Sequence, residues 1–81
     1  MHNTMELEII SFGKIAEVIK SQQLQISGLS NTDELKVYLE KSFPALSRMT
    51  YKLALNKIIV KDNLQLKNKD TVAIMPPFSG G

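Results

Sequence analysis

Apolar and polar residues alternate near the start of the chain in a way that predicts a β-strand. Within residues 6–12, Leu7 and Ile9 alternate with Glu6 and Glu8. An alternation of period two places the apolar side chains on one face of a strand. Gly13 ends the alternation, and residues 1–4, which precede it, are expected to form an N-terminal tail.

Two segments instead carry apolar residues at the spacing of a helix. The first, residues 14–20, predicts a short amphipathic helix of about two turns whose stripe consists of Ile15, Val18 and Ile19. The second begins after Asn31, a helix-capping residue with Glu34 three positions later. The apolar stripe of this main helix consists of Leu35, Tyr38, Leu39 and Phe43. The helix is expected to end near Ser42, because Pro44 disfavours helical geometry at the residue before it.

The remaining apolar segments are short and are separated by turn-forming residues, as strands are. The predicted strands are residues 23–27, 51–55, 58–60 and 71–75. Turns are predicted at residues 56–57, 62–63 and 68–70, and a loop at residues 45–50. Leu64 and Leu66 are expected to anchor an irregular segment to the core.

This order of elements predicts an α+β domain. The last strand is apolar along its length, which is typical of a central strand, so we expect it to pair with the first. The two would be parallel, and the main helix would belong to the long crossover that joins them. The predicted fold is a β-grasp (ubiquitin-like) domain, a mixed sheet of about five strands packed on one main helix plus a short helix. One domain is expected over residues 1–81, with residues 5–75 as its folded body and residues 76–81 as a projecting C-terminal tail.

The chain has few of the residue types, such as cysteine and histidine, that form most catalytic and metal sites. There is no cysteine, and the one histidine is His2. Gly13 and Gly28 are isolated and form no phosphate-binding loop. The eight acidic residues form no cluster with the spacing of metal ligands. We therefore expect a chain that is not catalytic alone, binds no cofactor or metal, and enters chemistry as a substrate or as one half of an enzyme.

Charge and hydropathy exclude two further classes of partner. The net charge of +2 comes from dispersed lysines without an interleaved aromatic platform, so nucleic-acid binding is not expected. No apolar run approaches the length of about 18 residues that a membrane helix needs, and no secretory leader is recognisable. The expected location is the cytoplasm, without a membrane partner.

The C-terminal tail is stiff at its start and lacks side chains at its end; its residues are Pro76, Pro77, Phe78, Ser79, Gly80 and Gly81. The prolines end strand pairing and lower the entropy cost of ordering the tail. Phe78 is a candidate anchor for a pocket in a partner. Gly80 and Gly81 can pass through a slot too narrow for a Cβ atom. The candidate reactive group is therefore the carboxylate of Gly81, and residues 76–80 are the candidate insertion segment.

Over residues 5–81 the chain resembles the MoaD family, the small subunits of molybdopterin synthase. The resemblance rests on Leu53-Ala54-Leu55-Asn56, on Leu66 with Asp70-Thr71-Val72, on the ending Met75-Pro76-Pro77-Phe78-Ser79-Gly80-Gly81 and on Ser11-Phe12-Gly13-Lys14-Ile15. Phe78 stands where the family usually has valine. Asn68-Lys69-Asp70 stands where the family often has Asp-Gly-Asp. Because asparagine tolerates left-handed φ, Asn68 is expected to preserve that turn.

The resemblance implies a sulfur carrier in molybdenum cofactor biosynthesis. An ATP-dependent activating enzyme (MoeB-like) would adenylate the carboxylate of Gly81, and a sulfur donor would convert it to a thiocarboxylate. The tail would then enter the large subunit of the synthase (MoaE-like) and give its sulfur to cyclic pyranopterin monophosphate. ATP would thus be used by the activating enzyme and not be bound by this chain.

The tail alone offers too little area for a specific complex, which typically buries about 800 Å² per partner. We therefore expect a docking face on the sheet beside the tail, formed by the outward residues of the last strand together with Phe78.

Three other functions fit parts of the sequence. A ThiS-like sulfur carrier for thiamine synthesis shares the fold and the Gly-Gly ending, although the Pro-Pro pair and the long main helix weigh against it. A protein modifier attached to lysines through isopeptide bonds shares the ending as well. A non-catalytic ubiquitin-like interaction module would need the fold alone.

Overall fold

The computed structural model describes residues 4–77, which form one mixed sheet and the helices that cover it. The strands are β1 (Thr4–Ser11), β2 (Gln22–Ser27), β3 (Lys52–Leu55), β4 (Ile58–Ile59) and β5 (Thr71–Met75). The helices are α1 (Ile15–Val18), α2 (Thr32–Ser42) and a short 3₁₀ helix (Pro44–Arg48).

The sheet has the strand order β2-β1-β5-β3-β4. β1 and β5 are parallel, with Glu8 opposite Thr71 and Ser11 opposite Ile74. The other neighbouring strands are antiparallel. The last strand is therefore central and pairs with the first through a crossover that contains α2. The prediction of a β-grasp fold is confirmed.

The core lies between α2 and one face of the sheet, here called the inner face. Leu7 and Ile9 of β1 and Ile74 of β5 are fully buried, and so are Leu35 and Leu39 of α2. Full burial of such a side chain is worth about 1.5–3 kcal/mol. This cluster holds α2 on the sheet, as the apolar stripes of the sequence predict.

The first turn of α2 is capped by three asparagine and glutamate side chains. Asn31 Oδ1 accepts a hydrogen bond from the backbone N–H of Glu34 (2.9 Å), as predicted. Glu34 Oε1 in turn accepts the N–H of Ser30 (2.7 Å). Asn63 Oδ1 accepts the N–H of Asp33 (3.0 Å). The N–H groups of Asp33 and Glu34, which have no partner within the helix, are thereby satisfied.

The irregular segment after β4 is hydrogen-bonded to residues at the start of α2. Thr32 is buried, and its Oγ1 accepts the N–H of Leu64 (3.0 Å). The N–H of Leu66 donates to the carbonyl of Ser30 (2.9 Å), and Gln65 forms an isolated bridge with Asn31. Leu66 is buried and Leu64 half-buried, which confirms the prediction that both anchor this segment.

Three local predictions were wrong. The first strand begins at Thr4, which pairs with Ser27, so the predicted tail of residues 1–4 does not extend to Thr4. α1 has one turn and not two, because Ile19 adopts extended geometry (φ −125°, ψ 116°) on the way into β2. Most of the predicted loop at residues 45–50 belongs instead to the 3₁₀ helix. Pro44 begins this helix because its φ is already fixed near the helical value, and the helix buries Leu46.

The two tightest turns use positive φ without glycine. Asn56 (φ 49°) and Lys57 (φ 75°) join β3 to β4, as predicted for a hairpin turn. In the turn before β5, the left-handed residue is Lys69 (φ 74°) and not Asn68. Asn68 has another role, since its Oδ1 accepts the N–H of Glu6 (2.8 Å). The expectation that Asn68 supplies the left-handed geometry is thus corrected.

Replacing Lys57 by glycine is expected to stabilise the domain. A non-glycine residue at left-handed φ costs about 1–2 kcal/mol, which glycine avoids. Glycine also increases the conformational entropy of the unfolded chain, and this offsets part of the gain in stability. We expect Lys57→Gly to raise the free energy of unfolding by about 0.5–1 kcal/mol in urea titrations. Lys61→Gly, at an exposed lysine without positive φ, is the control and should not stabilise. A lower unfolding midpoint for Lys57→Gly would contradict the explanation.

Candidate functional site

The chain leaves the sheet at the end of its central strand. β5 ends at Met75, and the half-buried Pro76 and Pro77 follow. Neither proline has an N–H, so strand pairing stops there. The last residues of β5 are held by β1, because the N–H of Phe12 donates to the carbonyl of Ile74 (3.0 Å).

Gly13 lies against the first proline of the tail. Its φ is +57°, and a Cβ atom added at Gly13 would lie 3.1 Å from Cγ of Pro76. Such a contact is tighter than side chains normally make, so the absence of a side chain at Gly13 lets Pro76 pack on the loop after β1. The start of the tail therefore has a defined position on the domain.

Four of the six predicted site residues lie outside the described part of the chain. They are Phe78, Ser79, Gly80 and Gly81. The other two, Pro76 and Pro77, stand at the end of β5, next to Gly13. The proposed reactivity of Gly81 stays a prediction.

The face of the sheet that turns away from α2, here called the outer face, has an apolar centre. Directly paired residues project on the same side of a sheet. Ala73 is paired with Ile10 and Ala54, Ala54 is also paired with Ile59, and Met75 lies on the same side of β5. We call these five residues the outer-face patch: Ile10, Ala54, Ile59, Ala73 and Met75.

On β5 the outer face is more accessible than the inner face, whereas Ala54 in the middle of the outer-face patch is buried (4% exposed). Val72 and Ile74 of β5 are buried against α2, whereas Ala73 and Met75 are half-buried. Ile59 is 41% exposed. Apolar side chains that remain accessible beside the tail are what a docking surface needs.

Charged residues border the outer-face patch at opposite ends. Glu8 stands beside Thr71, whose Oγ1 donates to Glu8 Oε1 at 3.4 Å. Glu6 forms an ion pair with Lys69 (2.9 Å). Lys52 is exposed and paired with Met75, at the end of the face where the tail begins. The face is thus acidic at its far end and basic beside the tail.

A tyrosine and a glutamate join α2 to the start of β3. The Tyr51 hydroxyl donates to Glu40 Oε2 (2.6 Å), and Lys36 Nζ lies 5.4 Å from the centroid of the Tyr51 ring. Burial, the hydrogen bond to Glu40 and the charge of that carboxylate all raise the pKa of Tyr51. The phenol therefore stays protonated and serves as a hydrogen-bond donor between the two elements.

Residues 4–77 contain no group of three or more His, Cys, Asp or Glu side chains that could hold a metal ion. None of the helices in this part of the chain has the length and hydropathy needed to cross a bilayer.

The docking face was expected on the last strand together with Phe78, whereas the outer-face patch also includes residues of β1, β3 and β4. A signal for them was present. Ile9-Ile10, Leu53-Ala54-Leu55 and Ile58-Ile59-Val60 are consecutive apolar runs, and consecutive strand residues face opposite sides of a sheet. Each run therefore places apolar side chains on the outer face as well as the inner one.

Comparisons with known proteins agree with this architecture. The model of the ThiS family matches residues 9–81. A molybdopterin synthase sulfur carrier subunit of Chlamydomonas reinhardtii is 34% identical over 83 residues, which cover 95% of this chain and 100% of that protein. A molybdopterin synthase sulfur carrier subunit of Arabidopsis thaliana is 29% identical over 83 residues, covering 98% and 86%.

Two solved structures share the fold. The small archaeal modifier protein 1 of Methanosarcina acetivorans superimposes with a TM-score of 0.73 at 20% identity, over 98% of this chain and 99% of that one. The HVO 2177 protein of Haloferax volcanii superimposes with a TM-score of 0.78 at 25% identity, over 96% and 88%.

The contact between Gly13 and Pro76 can be tested with a pair of alanine variants. Gly13→Ala and Gly28→Ala both place a side chain at positive φ, but a Cβ atom at Gly28 meets nothing within 4 Å. Both should lower the free energy of unfolding by about 1–2 kcal/mol through backbone strain. Gly13→Ala alone should shift the NMR resonances of Met75 and Pro76. Equal shifts at these two residues in both variants would contradict the contact.

Proposed function

The chain belongs to the ThiS family, and from this premise we propose that it is the sulfur carrier subunit of a molybdopterin synthase. The observation that carries the proposal is the course of the chain after β5. The chain leaves the central strand β5 at Met75 beside an accessible apolar face, continues into Pro76 and Pro77, and carries Gly80 and Gly81 further along its sequence. The two plant and algal relatives named for this role support the choice of pathway.

The proposed reactive group is the terminal carboxylate of Gly81. An activating enzyme (MoeB-like) would bind ATP, and an oxygen of the carboxylate would attack the α-phosphorus and expel pyrophosphate. The resulting acyl-adenylate has AMP as a good leaving group. Sulfur from a donor would replace AMP at the acyl carbon and leave a thiocarboxylate. Hydrolysis after sulfur transfer would return the carboxylate, so the chain would be used repeatedly.

The body of the domain would position the tail and leave catalysis to its partners. Ordering a free chain costs about 1–2 kcal/mol per residue. Pro76 and Pro77 remove part of this cost before binding, because their φ is already fixed. The packing of Pro76 on Gly13 fixes the direction in which the tail leaves the body. The glycines that follow suit a narrow channel in a partner.

A sulfur carrier subunit of molybdopterin synthase works with a large subunit, and we propose that the outer-face patch docks on it (MoaE-like). The patch is apolar and adjoins the start of the tail, so one partner could cover both. Its charged border favours a partner with basic side chains opposite Glu8 and acidic ones opposite Lys52. In that complex the thiocarboxylate would give its sulfur to cyclic pyranopterin monophosphate.

Removal of Gly81 should abolish sulfur loading and leave the fold intact. The truncated chain lacks the last residue, but β5 and the core are unchanged. We expect the same unfolding midpoint as the full chain. Intact-mass spectrometry after incubation with ATP, activating enzyme and sulfur donor should find no replacement of oxygen by sulfur. Glu17→Ala, at an exposed residue of α1 that leaves residues 76–81 unchanged, is the control and should load normally. Thiocarboxylate formation on the truncated chain would refute the assignment of Gly81.

A charge in the outer-face patch should weaken binding to the large subunit. Ile10→Glu would bury an unpaired carboxylate in the apolar part of the interface, and we expect at least a roughly tenfold loss of affinity by calorimetry. Gln25→Glu introduces the same charge on the same face at the exposed edge strand β2. It should bind within about twofold of the unchanged chain.

Circular dichroism should show both variants folded. Equal affinity of the two glutamate variants would refute docking through the patch. Binding to a thiazole synthase, with no affinity for the large subunit, would assign the chain to thiamine synthesis instead.

A further inference from the structure

A second accessible apolar surface lies on α2, away from the sheet. Glu34, Val37, Tyr38 and Lys41 are spaced at i, i+3, i+4 and i+7, which places them on one side of the helix. The buried side of α2 is formed by Thr32, Leu35 and Leu39. Tyr38, which was predicted in the core-facing stripe, is half-buried: like Leu29 it packs partly against the core and leaves the rest of its surface accessible. Val37 is 55% exposed. Together with Gly28, Leu29 and Asp33 the stripe lines an open groove of about 440 Å³.

The charges on this stripe are complementary to those of a second copy. Its centre is apolar, with Val37 and Tyr38, while Glu34 lies toward the helix start and Lys41 toward its end. An antiparallel pairing of two copies, centred between Val37 and Tyr38, places each Glu34 beside Lys41 of the partner subunit. It also places Val37 against Tyr38 of the partner subunit. The same surface serves both copies, as a twofold interface requires.

We propose that α2 forms a weak homodimer interface through this stripe, with a second copy of the chain as its occupant. Another exposed apolar site, β4, is less suited to self-association. Ile58 is 66% exposed there, but Lys57 and Lys61 stand on either side of the strand, so two copies paired at β4 would bring four lysines together.

The proposed dimer leaves the outer face of the sheet free. α2 packs on the inner face, so pairing through α2 gives the layer order sheet, helix, helix, sheet. The outer-face patch and the start of the tail then face outward on both copies. Self-association is thus independent of the sulfur-carrier function, and either can fail without the other.

The contact is small, because each copy contributes one helix stripe and Leu29. Stable complexes typically bury about 800 Å² per partner, so we expect dimers only at high concentration. In sedimentation equilibrium the average mass should rise from the 9.1 kDa of the monomer toward twice that value between about 0.02 and 2 mM.

Charge reversal gives a test that uses two variants and their mixture. Lys41→Glu places Glu34 beside a glutamate of the partner subunit, and Glu34→Lys places Lys41 beside a lysine. Each variant alone should lose self-association. An equimolar mixture should regain it, because both pairs across the interface are again of opposite charge. Circular dichroism confirms that each variant is folded, which matters for Glu34→Lys because Glu34 also caps α2.

Cross-linking gives a second test, because the chain has no cysteine of its own. Val37→Cys should form a disulfide-linked dimer at least about fivefold faster than Glu17→Cys under the same mild oxidant, since the sulfurs of two copies would meet across the twofold axis. Glu17 is exposed on α1, outside the stripe.

The expected results are a concentration-dependent mass, rescue in the mixture and selective cross-linking. A constant mass of 9.1 kDa up to about 2 mM would overturn the proposal. So would a mixture that stays monomeric while the unchanged chain dimerises, or equal cross-linking rates for the two cysteine variants.

Discussion

The parallel pairing of β1 with β5 determines where the rest of the structure lies. β5 is the last strand of the chain, and its pairing with the first strand places it at the centre of the sheet. Hydrogen bonds from Glu8 to Asp70 (2.9 Å) and from Phe12 to Ile74 (3.0 Å) fix β5 at both ends. A central strand has neighbours on both sides, so the residue after it starts from the most constrained part of the domain. The C-terminal segment therefore starts from a fixed position in the domain.

The two faces of β5 differ in their surroundings: one is packed in the core, and the other belongs to the outer-face patch for which we propose docking. Val72 and Ile74 close the core against α2, whereas Ala73 and Met75 on the other face stay accessible. One apolar strand can serve both purposes because successive side chains point to opposite sides. In the proposed function, a chain without cysteine would take part in covalent chemistry by contributing an acyl group and a recognition surface, and its partners would supply the groups that activate that acyl group.

Much of the fold followed from the sequence, because period-two and helical patterns are strong where one face is buried. The five strands, the cap at Asn31 and the central position of β5 were predicted in this way. Local geometry was less predictable. Lys69 has left-handed φ in a turn where Asn68 accepts a hydrogen bond from the distant Glu6, and α1 is short because Ile19 already has extended geometry. At the site, the sequence indicated the tail residues, but the outer-face patch required the strand register to bring Ile10 and Ala54 beside Ala73.

The pairing of the first strand with the last also bears on how the protein is made. Glu8 and Thr71, which face each other across β1 and β5, are separated by 63 positions. Contacts between such distant residues form late, because a long loop must be closed before they contribute. During synthesis the centre of the sheet cannot assemble until β5 has left the ribosome. A nascent chain that lacks β5 therefore has no complete outer-face patch, because Ala73 and Met75 of β5 are part of it.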